Sequence, residues 1–517
     1  MTSAPLRETR RSGGRRGRAA AAATGAGGRK VDYHNLRNPF PAVPVFTDDR
    51  IAAMHQSALT VLEDLGMKVL LPDARDIYAG GGALVDGETV RIGRDMVEAA
   101  LSTAPKSFAI RAGSRAKDLT MELGRLAIQT GGGAPHAADR LRGRRPGDME
   151  AFVDFTKLTQ HYDVFQMLGP SVEPQDSPVH VRHLDTTRAL LTLSDKIPFI
   201  FSRGSGQVAD CFEMIRIARG LDSTAFAAEP WCYTIINTNS PRMLDIPMAQ
   251  GLIDFARAGQ MSVVTPFCLM GAMAPVTVAG AVTLSHAEAL AAIVLTQLTK
   301  PGAPICYGSF TSNVDMKSGA PAFGTPEHVK ANLAVGQLAR LLGLPWRSAT
   351  GAGGPVNDAQ AAHETQFGAW GAVLAGATIL LHGAGWIEGG LTVSFEKLIT
   401  DLEAMQIFAE LCAPTPATEA EIALDALREV QPGGHFFGCA HTMERYSTAF
   451  YEPVVADWSN YGTWVERGSR DADERATDIW QKALADVRTP ELAPDRLAAL
   501  DTFIAERRAQ GGAAPVA

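Results

Sequence analysis

From about residue 125 the chain repeats one theme eight times: a short apolar run, a loop rich in Gly, Pro and Asn, then an amphipathic helical pattern. The runs are "RLAIQTGGGAP", "DVFQMLGPSVEP", "IPFIFSRGSG", "WCYTIINTNSP", "MSVVTPFCLMG", "APICYGSFTSN", "PWRSATGAGGP" and "TILLHGAGWIEGG". The helical patterns lie near 146–162, 178–195, 207–219, 241–258, 277–299, 325–342 and 357–376. Each is long enough to carry a right-handed crossover between parallel neighbours. Alternation this regular predicts an α/β fold, a (β/α)8 TIM barrel over 125–395, in preference to an open doubly wound sheet.

A chain of 517 residues, 46% hydrophobic, has enough apolar surface for such a barrel with additions at both ends. Residues 48–66 follow Thr47 and Asp48, a cap signal, and carry apolar residues at helical spacing up to Gly66. The segment 31–124 is therefore read as an N-terminal helical addition, and 396–517, which ends in charged helical patterns, as a C-terminal helical addition. Residues 1–30 hold seven Arg and one Lys against Glu8, a net of +7 that leaves −15 for the remainder. That Arg/Gly/Ala tail has almost nothing to bury and is read as disordered, with no nucleic-acid partner expected.

The longest uncharged run, Ser262 to Ser285, is long enough to raise a transmembrane reading. Pro266, Gly271, Pro275 and Gly280 divide it into a strand, a loop and a helix start, so a buried segment and no membrane association are expected. Six cysteines without a CxxC pair fit a reducing compartment, and the expected location is cytoplasmic.

In a barrel the loops after the strands form the functional face. They bring His136, Asp139, Glu173, Asp176, Arg203, Asn237, Asn239, Phe267, Tyr307, Phe310, Thr350, His382, Trp386 and Glu388 as candidates. Carboxylates, amides and rings with little positive charge suit a cation, because aromatic faces attract a quaternary ammonium by ~0.5 to 2 kcal/mol each. The stretch "GLPWRSATGAGGPVNDAQ" poses the alternative of a phosphate cradle at Gly351–Gly354, but Pro355 removes a donor and no Lys follows. His435, Cys439 and His441 in "HFFGCAH" place His and Cys four apart, as on one helical face, yet match no zinc spacing, so no metal is expected. No G-x-S-x-G elbow is present.

Long ordered segments carry a resemblance. "GAMAPVTVAGAVTLSHAEALAAIVLTQLTKPGAPICYGSFTSNVDMKSGAPAFGTPE", "NDAQAAHE", "IEGGLTVSFEKLITDLE" and "GGHFFGCAHT" are similar to the corrinoid-dependent trimethylamine methyltransferase family, over about residues 35–485. The resemblance implies a (β/α)8 barrel that passes a methyl group from a methylated amine to the cobalt of a separate corrinoid protein. Trimethylamine enzymes of the family carry pyrrolysine near the end of a late barrel strand, a place that falls around Thr350 to Gly354. Only small ordinary residues stand there, so the chain resembles the non-pyrrolysine branch, which includes glycine betaine methyltransferases.

The chemistry agrees with that departure. A tertiary amine must first become a cationic adduct, whereas a quaternary ammonium already leaves as a neutral amine. On this reading the nucleophile is Co(I) of the partner, no residue of the chain is catalytic, and the barrel positions the N-methyl group. Placement at strand ends then nominates Phe267, Tyr307 and Trp386 as ring contacts, Glu173 or Glu388 as counter-charge and Asn237 for a polar substituent. A substrate carboxylate would pair with Arg203 or with amides near Gly351. The corrinoid is expected on its partner, not tightly bound here, and a homo-oligomer stays open. Alternatives are trimethylamine or another methylated amine as donor, a phosphate-binding barrel enzyme, and a non-catalytic binding protein.

Overall fold

The computed structural model describes residues 32–516; the Arg-rich tail of residues 1–30 lies outside them. A mixed α/β architecture is built around a curled parallel sheet. Its six strands run in the order Ala127–Ile128, Ile379–Leu381, Trp346–Ala349, Ile305–Gly308, Met261–Val264 and Tyr233–Ile236. Every neighbouring pair is parallel. Further parallel bridges join Tyr233 to Phe199, Ile197 to Met167, and Met167 to Gln129. All eight apolar runs thus supply an extended segment, and each predicted crossover helix is present.

The crossovers start where the sequence offers a capping side chain. Asp148, Asp245, Thr277, Thr325 and Asp358 each accept a backbone N–H from the first turn of the helix that follows. Three helices end at Gly220, Gly259 and Gly343, each left-handed with φ of 65° to 69°. The helix Val278–Thr299 is long and apolar enough to cross a membrane, but most of it is buried inside the protein. Its Ala-rich surface packs against helices on several sides, which explains why it is apolar all round.

Strand alternation divides the core. Met261, Val263, Cys306, Ala349, Ile379 and Leu381 point to the inner face, where they pack with Ala127, Met167, Ile197 and Tyr233. Val264, Tyr307, Trp346 and Leu380 point outward against the helices. The period of two makes this assignment strict, since a one-residue slip would exchange the two faces.

The N-terminal segment departs from the helical expectation. The helix Asp48–Thr60 continues through a wider turn to Leu65 and stops at Gly66, as predicted. Short strands then follow at Met67–Val69, Leu84–Asp86, Thr89–Arg91, Phe108–Ile110 and Leu119–Met121. The first three form a sheet with Met243–Leu244. Three-residue strands carry too little alternation to stand out in sequence; two local antiparallel pairs, Leu84–Asp86 with Thr89–Arg91 and Phe108–Ile110 with Leu119–Met121, and the distant partner Met243–Leu244 of Met67–Val69 define them.

In the C-terminal segment Phe395–Leu411 packs against Ala472–Asp486, where Glu396 accepts from Thr477 (3.0 Å) and from the Trp480 indole (2.8 Å). The last helix, Pro494–Ala509, buries Leu500 and Ile504 in a cluster with Met214 and Ile215 of Ser205–Arg219. Residues 413–453 form a separate compact unit of short helices, Glu419–Ile422, Leu424–Glu429 and Ala440–Arg445. There the expectation of one helical face for His435 and Cys439 fails, because Cys439 is the N-cap of Ala440–Arg445 and His435 precedes the helix. Cys439 lies against the Thr442 hydroxyl (3.2 Å), and no group of three metal-binding side chains assembles among the described residues.

Candidate active site

A cavity of about 460 Å³ lies beyond the carboxyl ends of the parallel strands. Its wall is aromatic: Phe199, Phe201, Phe267, Phe310, His382 and Trp386. Phe267 and Phe310 meet at 5.1 Å, Phe310 and Trp386 at 5.9 Å, and His382 stacks on Trp386 at 4.8 Å and 21°. These contacts lock the rings into one surface whose faces favour positive charge.

Arg347 lies in the same lining, on the strand Trp346–Ala349, and is 1% exposed. Its Nη1 donates to Thr265 Oγ1 (2.5 Å) and the Ser309 carbonyl (3.3 Å), and its Cζ sits 5.2 Å from the Phe310 ring. Among the described residues no carboxylate forms an ion pair with it, and burial pushes its pKa down. A buried guanidinium without an anion is costly, several kcal/mol after relaxation. Unpartnered polar atoms accompany it: Arg347 Nε, Gln129 Oε1, Ser202 Oγ and His382 Nδ1 all belong to lining residues. Burial and the nearby Arg347 hold the His382 pKa well below the usual imidazole range.

The nominated residues divide. Phe267, Trp386 and Asn237 line the cavity, and Arg203 joins them. Tyr307 does not, because the alternation that turns Cys306 inward turns Tyr307 to the helices. Its hydroxyl there meets His286 Nδ1 at 2.9 Å. Glu173 also stands outside, paired with Arg203 (2.6 and 2.9 Å) and with Arg182. It lines a smaller neighbouring cavity of about 40 Å³. Glu388 pairs with Arg144 (2.9 Å) and accepts from Thr392 (2.5 Å). Both carboxylates are already paired with arginines and neither lines the cavity, whose lining holds Arg347 and Arg203, the latter bound to Glu173. A carboxylate near guanidinium groups gains more from them than from facing an aromatic cup. Arg347 escaped sequence reasoning, although a lone Arg inside "PWRSA" was a signal: a charge in an otherwise apolar strand must meet something inside the sheet.

The glycine stretch after this strand is a packing device. Gly351 has φ +151°, and a Cβ there would lie 2.3 Å from the Trp386 ring. Gly354 donates its N–H to Glu364 (2.9 Å), a carboxylate that would repel phosphate, so the cradle reading is not supported. Gly351→Ala should push Trp386 into the cavity. The expected result is a loss of about 1 to 3 kcal/mol in stability and at least ~10-fold in kcat/KM, measured by denaturant titration and steady-state assay.

Comparison with known proteins bears on this arrangement. The family model described as trimethylamine methyltransferase (MTTB) matches residues 11–512. The chain belongs to the trimethylamine methyltransferase (MTTB) family. A glycine betaine methyltransferase of Desulfitobacterium hafniense is 31% identical over 91% of this chain and 98% of that protein. A trimethylamine methyltransferase MttB of the same species is 28% identical over 89% of this chain and 93% of that protein. MttB1 of Methanosarcina mazei is 27% identical over 88% and 94% respectively. The solved monomethylamine methyltransferase (MtmB) of Methanosarcina barkeri aligns at a TM-score of 0.45 and 10% identity, covering 92% of this chain and 98% of that one. This MTTB-family chain is accordingly a methyltransferase enzyme, and the cavity is its candidate active site.

Proposed function

We propose that this enzyme removes a methyl group from a quaternary ammonium that also bears a carboxylate, a betaine, and passes it to a corrinoid carried by a separate protein. The observation that carries this reading is the pairing of an aromatic wall with the buried Arg347, which has no ion pair among the described residues, in one cavity. Rings alone would accept any quaternary amine; the guanidinium selects those with a negative group. At an effective dielectric of ~20, a carboxylate about 4 Å from Arg347 gains about 4 kcal/mol, whereas an ammonium about 7 Å away loses about 2. A betaine binds with a net gain, while choline and trimethylammonium meet only the repulsion.

Phe267, Phe310 and Trp386 are assigned to the N-methyl groups, Arg347 to the carboxylate, and Asn237 to the rim. The sum of three ring contacts is a few kcal/mol, enough to orient the C–N bond. When that bond breaks, its electron pair stays on nitrogen and the amine departs neutral, so no general acid is called for. The lining contains no thiol, amine or carboxylate free to accept the methyl. That donor set fits an external acceptor, and the corrinoid, when bound, supplies Co(I) as the nucleophile. Trp386 and Phe267 would keep the methyl directed toward it, which is where the rate enhancement lies.

Several finer readings belong with this one. A closed (β/α)8 barrel over 125–395 is supported by the parallel bridges that link Tyr233, Phe199, Ile197, Met167 and Gln129 in turn. Additions over 31–124 and 396–517 complete the proposed layout. A cytoplasmic location is supported by six free thiols.

The test mixes the enzyme with cob(I)alamin and a panel of glycine betaine, proline betaine, carnitine, choline and trimethylamine. Expected is loss of the Co(I) absorption, with release of the demethylated amine, for carboxylate-bearing quaternary amines and much more slowly for choline. Equal rates for choline and glycine betaine, or reaction with trimethylamine alone, would sink the proposal.

A further inference from the structure

A second cavity, of about 500 Å³, lies at the opposite ends of the same strands. Asp195 and Trp231 in its lining precede the extended segments that carry Phe199–Arg203 and Asn237 to the active-site cavity. The remaining lining includes Gly113–Arg115, the end of the helix Ser205–Arg219, Pro490–Ala493 and Arg496.

Three guanidinium groups converge there. Arg219 ends its helix with Nη2 buried and unpartnered, and no carboxylate forms an ion pair with it among the described residues. Burial lowers its pKa to about 10. It fits because residue 113 is glycine: a Cβ at Gly113 would lie 2.6 Å from Nη2. Arg496 is seated over Gly220 in the same manner, with a Cβ there 2.6 Å from its Nη2, and it too has no ion pair among the described residues. Arg115 lies over the Trp231 ring at 5.2 Å, and Trp231 Nε1 is a buried donor with no acceptor.

Asp195 favours the charge on Arg219 without forming an ion pair with it among the described residues. Asp195 is spent on Lys117 (2.5 Å) and Gln160 (2.9 Å), which hold its pKa below the usual range. Asp118 and Glu229 are shared by Arg111 and Arg115. Glu491 in the lining is exposed and makes no ion pair among the described residues. The helix Pro494–Ala509 also begins here with no side-chain cap at Ala493, but Pro494 removes one N–H and Asp495 already stands in the first turn, so the helix start adds little to the site. Two guanidinium groups without an ion pair among the described residues, Arg219 and Arg496, and an orphan indole N–H are all donors, and all lack the same thing.

We infer that this cavity binds a phosphate group, held by Arg219 and Arg496 with Arg115 and the Trp231 N–H beside them. Guanidinium forks match the geometry of a tetrahedral oxyanion, and a doubly charged one offsets two cations at once. Free phosphate and the phosphate of a nucleotide-type molecule share that chemistry; the apolar part of the wall, Leu191, Leu221 and Leu492, gives the latter somewhere to rest.

The experiment is calorimetric titration of the full-length enzyme with inorganic phosphate, pyrophosphate and AMP, repeated on Arg496→Gln and on Arg347→Gln. Arg496 is exposed, so its replacement leaves the fold and methyl transfer intact, which melting and assay verify. Expected is saturable one-to-one binding with Kd on the order of 1 mM or tighter, weakened at least ~10-fold by Arg496→Gln and unchanged by Arg347→Gln. Tighter binding of AMP than of phosphate identifies the nucleotide-type source, and the reverse order identifies free phosphate. Absence of saturable binding, or binding that survives Arg496→Gln or disappears in Arg347→Gln, would overturn the assignment.

Discussion

Arg347→Gln is expected to lower kcat/KM for glycine betaine on the order of 10³-fold while leaving the substrate-free protein as stable as before, or more so. The two effects share one cause. With substrate bound, the guanidinium pairs with a carboxylate out of water, and truncating one member of such a pair costs about 2 to 5 kcal/mol. Without substrate the same charge is 1% exposed, has no acidic partner among the described residues, and loads the fold with desolvation. Glutamine keeps an amide for Thr265 and Ser309 and removes the charge. The comparison substrate sharpens the result: choline, repelled by Arg347, should be handled no worse by the variant, so the preference between the two narrows from both sides. Steady-state kinetics on both substrates, with thermal melts of the apo proteins, separates this from a general loss of folding. A variant equally impaired on both substrates and less stable would point to a structural role.

Trp386→Ala is the second large change. Trp386 is 5% exposed and hemmed by three glycines: a Cβ at Gly351, Gly390 or Gly131 would lie 2.3, 2.5 or 3.3 Å from its ring. It stacks on His382 and meets Phe323 edge to face at 5.1 Å. Removing it takes away a ring face from the ammonium site and opens a void behind it. Trp-to-Ala changes in cores cost 3 to 5 kcal/mol, and because this void joins an open cavity that water can fill, the lower end, about 3 kcal/mol, is expected. Activity should fall further than the lost cation–π contact explains, by roughly 10²-fold, since a methyl displaced by about 1 Å no longer lies in line with its acceptor. Trp386→Phe, which keeps a ring face, should recover most of the activity and less of the stability. If Trp386→Ala costs stability alone, with kcat/KM intact, the ring is packing and not part of the site.

The fold was legible because its signal is long-range in sequence. Eight runs and seven helical patterns have their counterparts in the structure, and the uncharged stretch Ser262–Ser285 is interrupted at Pro266, Gly271 and Pro275, although it forms two strands, not one, and Gly280 lies inside the helix. The short strand Met67–Val69 was not legible, since one of its partners, Met243–Leu244, lies far along the chain, whereas Thr89–Arg91 pairs locally with Leu84–Asp86 across Gly87 and was missed because each strand is so short. The site was half legible for a similar reason. Phe267, Trp386 and Asn237 follow their strands directly, and position alone puts them at the cavity. Tyr307 was a matter of parity within "ICYG", which the sequence shows only once the inward residue of the strand is known. The surroundings of Glu173 and Glu388 were not legible because a carboxylate's partner is a matter of tertiary contact: Arg203 and Arg182 claim one, Arg144 the other. Arg347 was visible as an anomaly in an apolar strand, and its meaning depends on the absence of an acid opposite it.

The most direct measurement is a crystal structure of the enzyme with glycine betaine. The carboxylate should lie within hydrogen-bond distance of Arg347 and the trimethylammonium against the faces of Phe267, Phe310 and Trp386. An ammonium seated at Glu173 or Glu388, or a carboxylate held away from Arg347, would contradict the account.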